Sequence, residues 1–268
     1  MNILDNIITY KRGEVAGRKA AVPVSALEKS SFFYRPCLSL KAALRDPGST
    51  GIIAEYKRRS PSMGVINDKA TVADVTSGYT AGGAVCLSVL TDRQFFGGSD
   101  ADLVMARVNE IPILRKEFII DEYQIVEARA IGADVILLIA ACLKPAEVRR
   151  LAAFARGFGL EVLLEIHGED ELDHICDETA LVGVNNRDLK TFTVDIDRSI
   201  RLSRRIPGGK LLIAESGISR AETIIRMKAA GFKGFLIGEG FMKEADPAAA
   251  FRQFVRELQE AERHSMEK

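Results

Sequence analysis

The chain has 268 residues, of which 47% are hydrophobic and 28% are charged, as in an ordinary soluble globular protein with a substantial core. Lys plus Arg and Asp plus Glu both number 37, so the formal net charge is zero, which argues against a nucleic-acid or membrane-surface partner. The N-terminal segment is charged throughout, unlike a signal peptide or a membrane anchor. The four cysteines form no CxxC pair and are interpreted as structural, so we expect a cytoplasmic protein.

Eight short apolar runs typical of strands recur along the chain. In order they are GIIAEYK (51–57), AVCLSVL (84–90), IPILRKEF (111–118), DVILLIA (134–140), EVLLEI (161–166), ALVGVNN (180–186), KLLIAES (210–216) and GFLIG (234–238). Helical patterns lie between them, and several end in glycine, as helix C-termini prefer. The pattern after the last run begins with Asp246 and Pro247, a cap and first-turn pair.

Eight strand–helix units in a chain of this length predict an α/β fold, a (β/α)8 TIM barrel, because each parallel strand needs a crossover helix. A doubly wound sheet is the alternative. It would have fewer strands and a glycine-rich first turn, whereas the first turn here, KRRSPSMGVIN, is not GxGxxG. Without an internal linker or a low-complexity segment, residues 1–268 are predicted to form one domain.

Residues 1–46 precede the first run and contain two helical patterns, ILDNIITYKRGEVAGRKA and SLKAALRD. Such an N-terminal helical extension could plug the bottom of a barrel or contact a second copy of the chain. We expect it to pack on the barrel, because Phe32, Phe33 and Tyr34 need apolar surface to cover them.

Charged and polar residues stand near the ends of five of the runs. Glu55 and Lys57 face the same side of the first strand, which an amphipathic edge strand with an ion pair would also explain. In a barrel, however, catalytic groups project from the C-terminal ends of the strands. The residues at these positions are Glu55, Lys57, Lys116, Glu165, Asn185, Arg187, Glu215 and Ser216. Together they predict a site that holds an anionic substrate and moves protons.

The seventh and eighth units are predicted to bind the anion. Ser216 and Gly217 follow a strand, Ser219 is placed as a helix N-cap, and Gly238 and Gly240 follow the last strand. Glycine lets backbone N–H groups approach an oxyanion, and the loops after strands seven and eight are the usual phosphate site of these barrels.

Ordered segments along nearly the whole chain resemble the indole-3-glycerol phosphate synthase family. They are IIAEYKRRSPSMG, LSVLTDRQFFGGS, ILRKEFIIDEYQI, GADVILLI, LLEIH, GVNNRDLKTF, AESGIS and FLIGEGFM, with ILDNIITYKRGEVAGRK similar to the helix that members carry before the barrel. The resemblance implies conversion of 1-(2-carboxyphenylamino)-1-deoxyribulose 5-phosphate, a small-molecule substrate, into indole-3-glycerol phosphate, carbon dioxide and water in tryptophan biosynthesis. It implies no cofactor and no metal.

The resemblance also implies roles for individual residues. Lys116 would be the main general acid and Glu165 the base, while Glu55 and Lys57 would assist dehydration and substrate positioning. Lys57 could also reach the phosphate. The remaining members of the implied site are Asn185 and Arg187, which would orient the base and the substrate, Glu215, which would hold the lysine network, Ser60 at the substrate carboxylate, and Ser216, Gly217, Gly238 and Glu239 at the phosphate.

Two positions depart from the family's usual pattern. Glu117 stands after the catalytic lysine, where aspartate is common, and Gly238-Glu239-Gly240 stands where one small residue is common. Both concern loop geometry rather than a reacting group. His167, which follows the implied base, is interpreted as a loop residue without a catalytic role.

Two functions from other classes remain as alternatives. A Schiff-base aldolase on the same barrel would use Lys116 or Lys57 as its nucleophile, and a sugar-phosphate binding protein would use the anion loops alone. Borohydride trapping would reveal the first, and binding without turnover would reveal the second.

Overall fold

The eight apolar runs form a closed barrel of parallel strands in a computed structural model that describes residues 3–188 and 193–266. The strands are β1 (Ile52–Tyr56), β2 (Cys86–Leu90), β3 (Ile113–Lys116), β4 (Val135–Ile139), β5 (Glu161–Ile166), β6 (Leu181–Asn185), β7 (Leu211–Glu215) and β8 (Phe232–Ile237). β1 pairs with β8 and closes the ring. The predicted (β/α)8 fold is therefore confirmed, and the first run is not an edge strand.

Helices surround the barrel and precede it. Their bounds are α1 (Ile3–Ala21), α2 (Val24–Leu27), α3 (Leu40–Arg45), α4 (Val72–Ala81), α5 (Asp100–Ala106), α6 (Glu122–Ala130), α7 (Pro145–Gly157), α8 (Ile196–Ser203), α9 (Ala221–Ala229), α10 (Glu239–Met242) and α11 (Pro247–Met266). Side-chain caps fix many helix starts: Asp246, as predicted, accepts a hydrogen bond from the N–H of Ala249. Across the described residues, no helix is both long and apolar enough to cross a bilayer.

The fifth crossover differs from the predicted strand–helix unit. Between β5 and β6 the chain forms a 3-10 helix, Glu169–His174, in place of an α-helix. The segment is short and strongly acidic, with Glu169, Asp170 and Glu171 in its first turn, so it lacks the apolar stripe that an outer α-helix buries. The first loop also contains a small hairpin, Arg59–Ser60 paired with Gly64–Val65.

The end of the N-terminal extension closes the bottom of the barrel. Leu40 and Leu44 of α3 are buried in the apolar cluster that fills the barrel interior. Glu161, the first residue of β5, accepts hydrogen bonds from the hydroxyl of Ser39 and the N–H of Lys41, which tie this helix to the start of the strand. The extension packs on the barrel, as predicted, and α3 does so as a plug.

The aromatic cluster of the extension is covered only in part. Phe33 is buried against Val126 and Ala130 of α6, but Phe32 is half-buried and Tyr34 is 79% exposed. Burial of one ring of the three is enough to dock this turn, because a buried phenylalanine contributes roughly 1.5–3 kcal/mol. The expectation that all three rings need cover was wrong for Tyr34.

The start of the extension lies at the opposite end of the barrel, where a buried ion cluster holds α1. The Lys11 Nζ atom lies 2.6 Å from Glu14, 2.8 Å from Asp92 and 3.0 Å from Glu117, and the Lys11 side chain is fully buried. Burial opposes the charge, but Glu117 and Asp92 outweigh it and raise the pKa of Lys11, so the ammonium persists. Since Asp92 follows β2 and Glu117 follows β3, the cluster fastens α1 over the C-terminal ends of these strands.

We expect Lys11→Met to lower the free energy of unfolding by about 3–5 kcal/mol, because two buried carboxylates lose their counter-charge. Urea unfolding of the variant and the parent measures the difference. Lys19→Met on the same helix is the matched control: Lys19 pairs with Asp121 on the surface, at 3.2 Å, where an ion pair contributes about 0–1 kcal/mol. Equal midpoints for the two variants would contradict the prediction.

Candidate active site

A cavity of about 420 Å³ opens at the C-terminal ends of the barrel strands. All of the residues assigned to the site from the sequence line it: Glu55, Lys57, Ser60, Lys116, Glu165, Asn185, Arg187, Glu215, Ser216, Gly217, Gly238 and Glu239. The period of the strands explains why they converge. Residues two apart face the same side, so Lys116 lies one layer above Leu114 and Glu165 one layer above Leu163 of the interior core.

β1 supplies an ion pair to one side of the cavity. The Lys57 Nζ atom lies 2.8 Å from Glu55 Oε1, and the Ser88 hydroxyl donates to Glu55 Oε2 at 3.4 Å. Burial favours the neutral acid, but Lys57 and Lys116 outweigh it and lower the pKa of Glu55. Gly238 makes room for this carboxylate, since a Cβ there would lie 2.8 Å from Glu55 Oε1.

Lys116 occupies the centre of the site, between two carboxylates from other strands. Its Nζ atom lies 3.3 Å from Glu215 Oε2 and 3.5 Å from Glu165 Oε2, and its side chain is 16% exposed. Burial alone would lower the pKa of Lys116, but Glu215 and Glu165 outweigh it and raise the pKa. The ammonium is therefore charged at neutral pH and faces the cavity.

Glu165 is held as an anion by a hydrogen bond and by nearby positive charges. Its Oε1 atom accepts a hydrogen bond from Asn185 Nδ2 at 2.9 Å and lies 3.1 Å from His167 Nε2. Burial would raise the pKa of Glu165, but Lys116 and His167 outweigh it and hold the pKa well below the ordinary range. Asn185 is itself oriented, because its Oδ1 atom accepts from the N–H of Arg187 at 3.0 Å.

Glu215 has the opposite electrostatic balance. Burial, together with repulsion from Glu165, exceeds the attraction of Lys116 and raises the pKa of Glu215 to about 7. The two carboxylates beside Lys116 thus differ in charge near neutral pH, one firmly ionised and the other ready to exchange a proton. Gly183 in β6 leaves the space that Glu215 occupies, because a Cβ at Gly183 would clash with Glu215 Oε1.

The loops after β7 and β8 also line the cavity. Ser216 and Gly217 both have left-handed backbone, with φ of 67° and 69°, and Ser216 is the one non-glycine residue with positive φ among residues 3–188 and 193–266. The Glu239 carboxylate lies 3.6 Å from the guanidinium of Arg187, so its negative charge is paired. An anion here would meet backbone N–H groups rather than a free carboxylate.

Ser219 does not cap a helix, so this prediction was wrong. α9 begins at Ala221, and its N-cap position is Arg220, without a side-chain hydrogen bond. Arg220 has extended backbone, with φ of −137° and ψ of 144°, and Ile218 is buried in the apolar core. Ser219 instead lines the cavity.

The family model and the curated relatives agree on one family. The family model described as indole-3-glycerol phosphate synthase matches residues 4–254. The chain belongs to the indole-3-glycerol phosphate synthase family. An indole-3-glycerol phosphate synthase of Bacteroides thetaiotaomicron is 46% identical over 96% of this chain and 99% of its own length. One from Chromobacterium violaceum is 45% identical over 93% and 96%.

A solved structure adds support for the fold alone. A mutant tryptophan synthase alpha-subunit from Pyrococcus furiosus matches 78% of this chain and 98% of its own, with a TM-score of 0.59 and 16% identity. At that identity the likeness concerns the barrel and not the chemistry.

Within the family pattern, the departure at Glu117 has a structural partner in this chain. The Glu117 carboxylate accepts hydrogen bonds from the Thr91 hydroxyl, at 2.9 Å, and from the N–H of Phe118, at 2.8 Å, in addition to its contact with Lys11. The Glu117 carboxylate is thus part of the ion cluster that fastens α1. The last four residues of the GVNNRDLKTF motif, 189–192, lie outside the described residues.

Two contributions to the site were missed from the sequence. Ile3, Leu4 and Ile7 of α1 line the cavity, so the extension forms part of its wall. The apolar spacing in ILDNII was the available signal, but it does not say which surface the helix covers. The second is His167, whose ring contacts Glu165; LLEIH places it two residues later in the chain, on the same side of the strand.

A metal site was not expected. No group of three or more His, Cys, Asp or Glu side chains in the described ranges is arranged to hold a metal ion. The absence of a metal and of a cofactor from the reaction stays a prediction.

Proposed function

We propose that this chain closes the indole ring of 1-(2-carboxyphenylamino)-1-deoxyribulose 5-phosphate, releasing carbon dioxide and water to form indole-3-glycerol phosphate in tryptophan biosynthesis. Membership of the family supports the reaction. The observation that carries the proposal is Lys116 placed between Glu165 and Glu215 in a cavity that also holds a left-handed backbone turn suited to a phosphate.

The chemistry of the reaction calls for these groups. The ring carbon that bears the carboxylate attacks the ketone carbon, so a donor must stabilise the ketone oxygen as it gains charge. A cation is also needed beside the carboxylate. Once carbon dioxide has left, the new hydroxyl departs, and a base accepts the proton lost from the neighbouring carbon.

In this scheme Lys116 donates to the ketone oxygen and Glu165 is the base. Glu215 and Glu165 raise the pKa of Lys116, so its side chain is protonated at neutral pH. The ammonium therefore brings a full positive charge to the developing oxyanion. Glu165 is ionised in the resting site and so is ready to accept a proton. Lys116, which is protonated, serves the ring closure as a donor, and Glu165, which is ionised, serves the later proton removal as a base.

The other lining residues position the substrate. We assign Glu55 and Lys57 to dehydration and positioning, Asn185 to orientation of Glu165, Arg187 to the substrate hydroxyls and ring carboxylate, Ser60 to the carboxylate, Glu215 to the lysine network, and Ser216, Gly217, Gly238 and the backbone N–H of Glu239 to the phosphate. Ser60 is nearly buried and accepts from the N–H of Met63 at 3.2 Å, so its hydroxyl is held in place.

The alternatives are less well supported by the site. A Schiff-base aldolase needs a neutral amine as nucleophile, whereas Glu215 and Glu165 keep Lys116 protonated. A protein that only binds a sugar phosphate would have no need for the three carboxylates and two lysines that line the cavity beside the phosphate loops.

We further propose that residues 1–268 act as one domain in the cytoplasm, without a nucleic-acid or membrane partner. All four cysteines are unpaired, which suits a reducing compartment. Incubation of the purified chain with the carboxyphenylamino-ribulose phosphate tests the reaction, with indole fluorescence as the readout. Binding without any rise in fluorescence would overturn the proposal, and borohydride trapping would indicate the aldolase.

At the phosphate end, we expect Gly217→Ala to raise KM roughly tenfold while kcat stays within about threefold, because the substitution disturbs binding rather than the reacting groups. A Cβ at Gly217 would clash with Val194 and would strain the backbone, whose φ is 69°. Steady-state kinetics measure both constants. Gly209→Ala is the matched control: Gly209 has a φ of 87° with open space around it, so its substitution brings similar backbone strain away from the site. An unchanged KM in a folded Gly217→Ala variant would place the phosphate elsewhere.

A further inference from the structure

His167 lies between two carboxylates just past the end of β5. Its Nε2 atom is 3.1 Å from Glu165 Oε1, and its Nδ1 atom is 3.4 Å from Glu171 Oε2. In the described part of the chain neither ring nitrogen has an acceptor in hydrogen-bond geometry, so the contacts are those of opposite charges. The ring is only 13% exposed, which limits screening by water.

Glu171 belongs to the 3-10 helix that takes the place of the fifth crossover helix. Its Oε2 atom also accepts a hydrogen bond from the backbone N–H of His167, at 2.6 Å. The Glu171 carboxylate therefore contacts both the backbone N–H and the ring of His167.

The two oxygens of Glu165 face different surroundings. Oε1 meets Asn185 and His167, whereas Oε2 faces Lys116. Glu165 lines the cavity but His167 does not, so His167 contacts the carboxylate from behind. This division leaves Oε2 as the oxygen available for proton transfer.

The titratable groups around His167 come from three elements. Glu165 lies on β5, Glu171 on the 3-10 helix, and the Cys142 thiol, whose pKa is raised by burial and by these carboxylates, follows β4. Lys116 lies beyond Glu165. Burial disfavours the charged ring, but Glu165 and Glu171 outweigh it and raise the pKa of His167 to about 10.

We propose that His167, held by Glu171, is a positioning residue that fixes Oε1 of Glu165 and keeps this carboxylate ionised for its work as a base. The inference rests on the proposed role of Glu165. It makes Glu171, His167 and Glu165 a chain of alternating charges that runs from the crossover segment to the reacting end of the site.

The variant His167→Gln removes the charge and keeps an amide that can donate to Glu165. We expect the pKa of the Glu165 carboxyl, followed without substrate by the 13C chemical shift of its carboxyl carbon, to be higher in this variant than in the parent, because a nearby opposite charge lowers a carboxyl pKa by about 1–3 units. His167→Ala should show the same shift and also a loss of kcat, since Oε1 is then held by Asn185 alone.

His174→Gln is the matched control. The His174 ring contacts the backbone carbonyls of Glu171 and Leu143, at 3.1 and 2.8 Å, and does not reach Glu165. Its substitution disturbs the same segment without touching Glu165, so stability should fall while the pKa of Glu165 stays at the parent value. An equal shift in both variants, or no shift in His167→Gln, would overturn the proposal.

Titration of the histidines by NMR tests the ion pair without substrate. The chain has three histidines, so single variants assign each imidazole signal. We expect His167 to be charged at pH 7 and to titrate at clearly lower pH in Glu165→Gln. A neutral His167 at pH 7 would refute the proposal. Failure of the parent to turn over, with a charged His167, would refute the proposed function of the chain and leave the ion pair supported.

Discussion

Lys116→Met should lower kcat by about 10²–10⁴, the usual range for the loss of one general acid, in a protein that folds normally and still binds product analogues. Methionine keeps the length of the aliphatic stem and its packing against the cavity wall, but it cannot donate to the ketone oxygen. The substitution also removes the one cation that lies near both Glu165 and Glu215 among the described residues, at 3.5 and 3.3 Å.

Single-turnover kinetics separate this loss from an effect on product release. Lys228→Met on α9 is the control for the substitution itself, since Lys228 pairs with Glu262 and does not line the cavity. It should leave kcat unchanged. If Lys116→Met turns over within about threefold of the parent, where a lost general acid costs at least about a hundredfold, Lys57 must be the acid and β1 carries the chemistry assigned to β3.

Glu165→Gln should cause a comparable fall in kcat, because the amide keeps the shape of the side chain and cannot accept the proton. Its carbonyl oxygen can still accept from Asn185, so we expect the fold to be retained. Glu161→Gln is the matched control on the same strand. Glu161 lies at the start of β5, where it contacts Ser39 and Lys41 at the bottom of the barrel, so its loss affects stability rather than kcat.

The double variant Lys116→Met and Glu165→Gln tests whether the two groups act on one reaction path. We expect it to be less impaired than the product of the single effects, as groups of one catalytic unit are in general. Strict multiplication of the two losses would indicate that the residues act independently, and activity of Glu165→Gln near that of the parent would assign the base to Glu55 or Glu215.

The barrel and most of the site could be predicted from the sequence because both depend on local order. Each strand is a short apolar run, and a polar residue such as Lys116 or Glu165 stands near its end. Parallel strands bring all of these ends to the same rim. The helix start at Ala221 was missed because Ser219 by its residue type suggests a cap, whereas Arg220, which has extended backbone and no side-chain cap, occupies the N-cap position.

The sequence by itself therefore determined the order of strands and helices, the face on which each charged side chain lies, and the family. Tertiary structure alone decided which charges meet. Burial and repulsion from Glu165 raise the pKa of Glu215 against the attraction of Lys116, whereas Lys116 and His167 lower the pKa of Glu165 against its burial; these contacts follow from closure of the ring. α1 covers the cavity because buried Lys11 contacts Asp92 after β2 and Glu117 after β3. No local sequence pattern predicts these contacts. Spacing along a strand determines which side of the strand each side chain faces. Electrostatic energy depends on the distances between charges and on their burial, which only the folded chain defines.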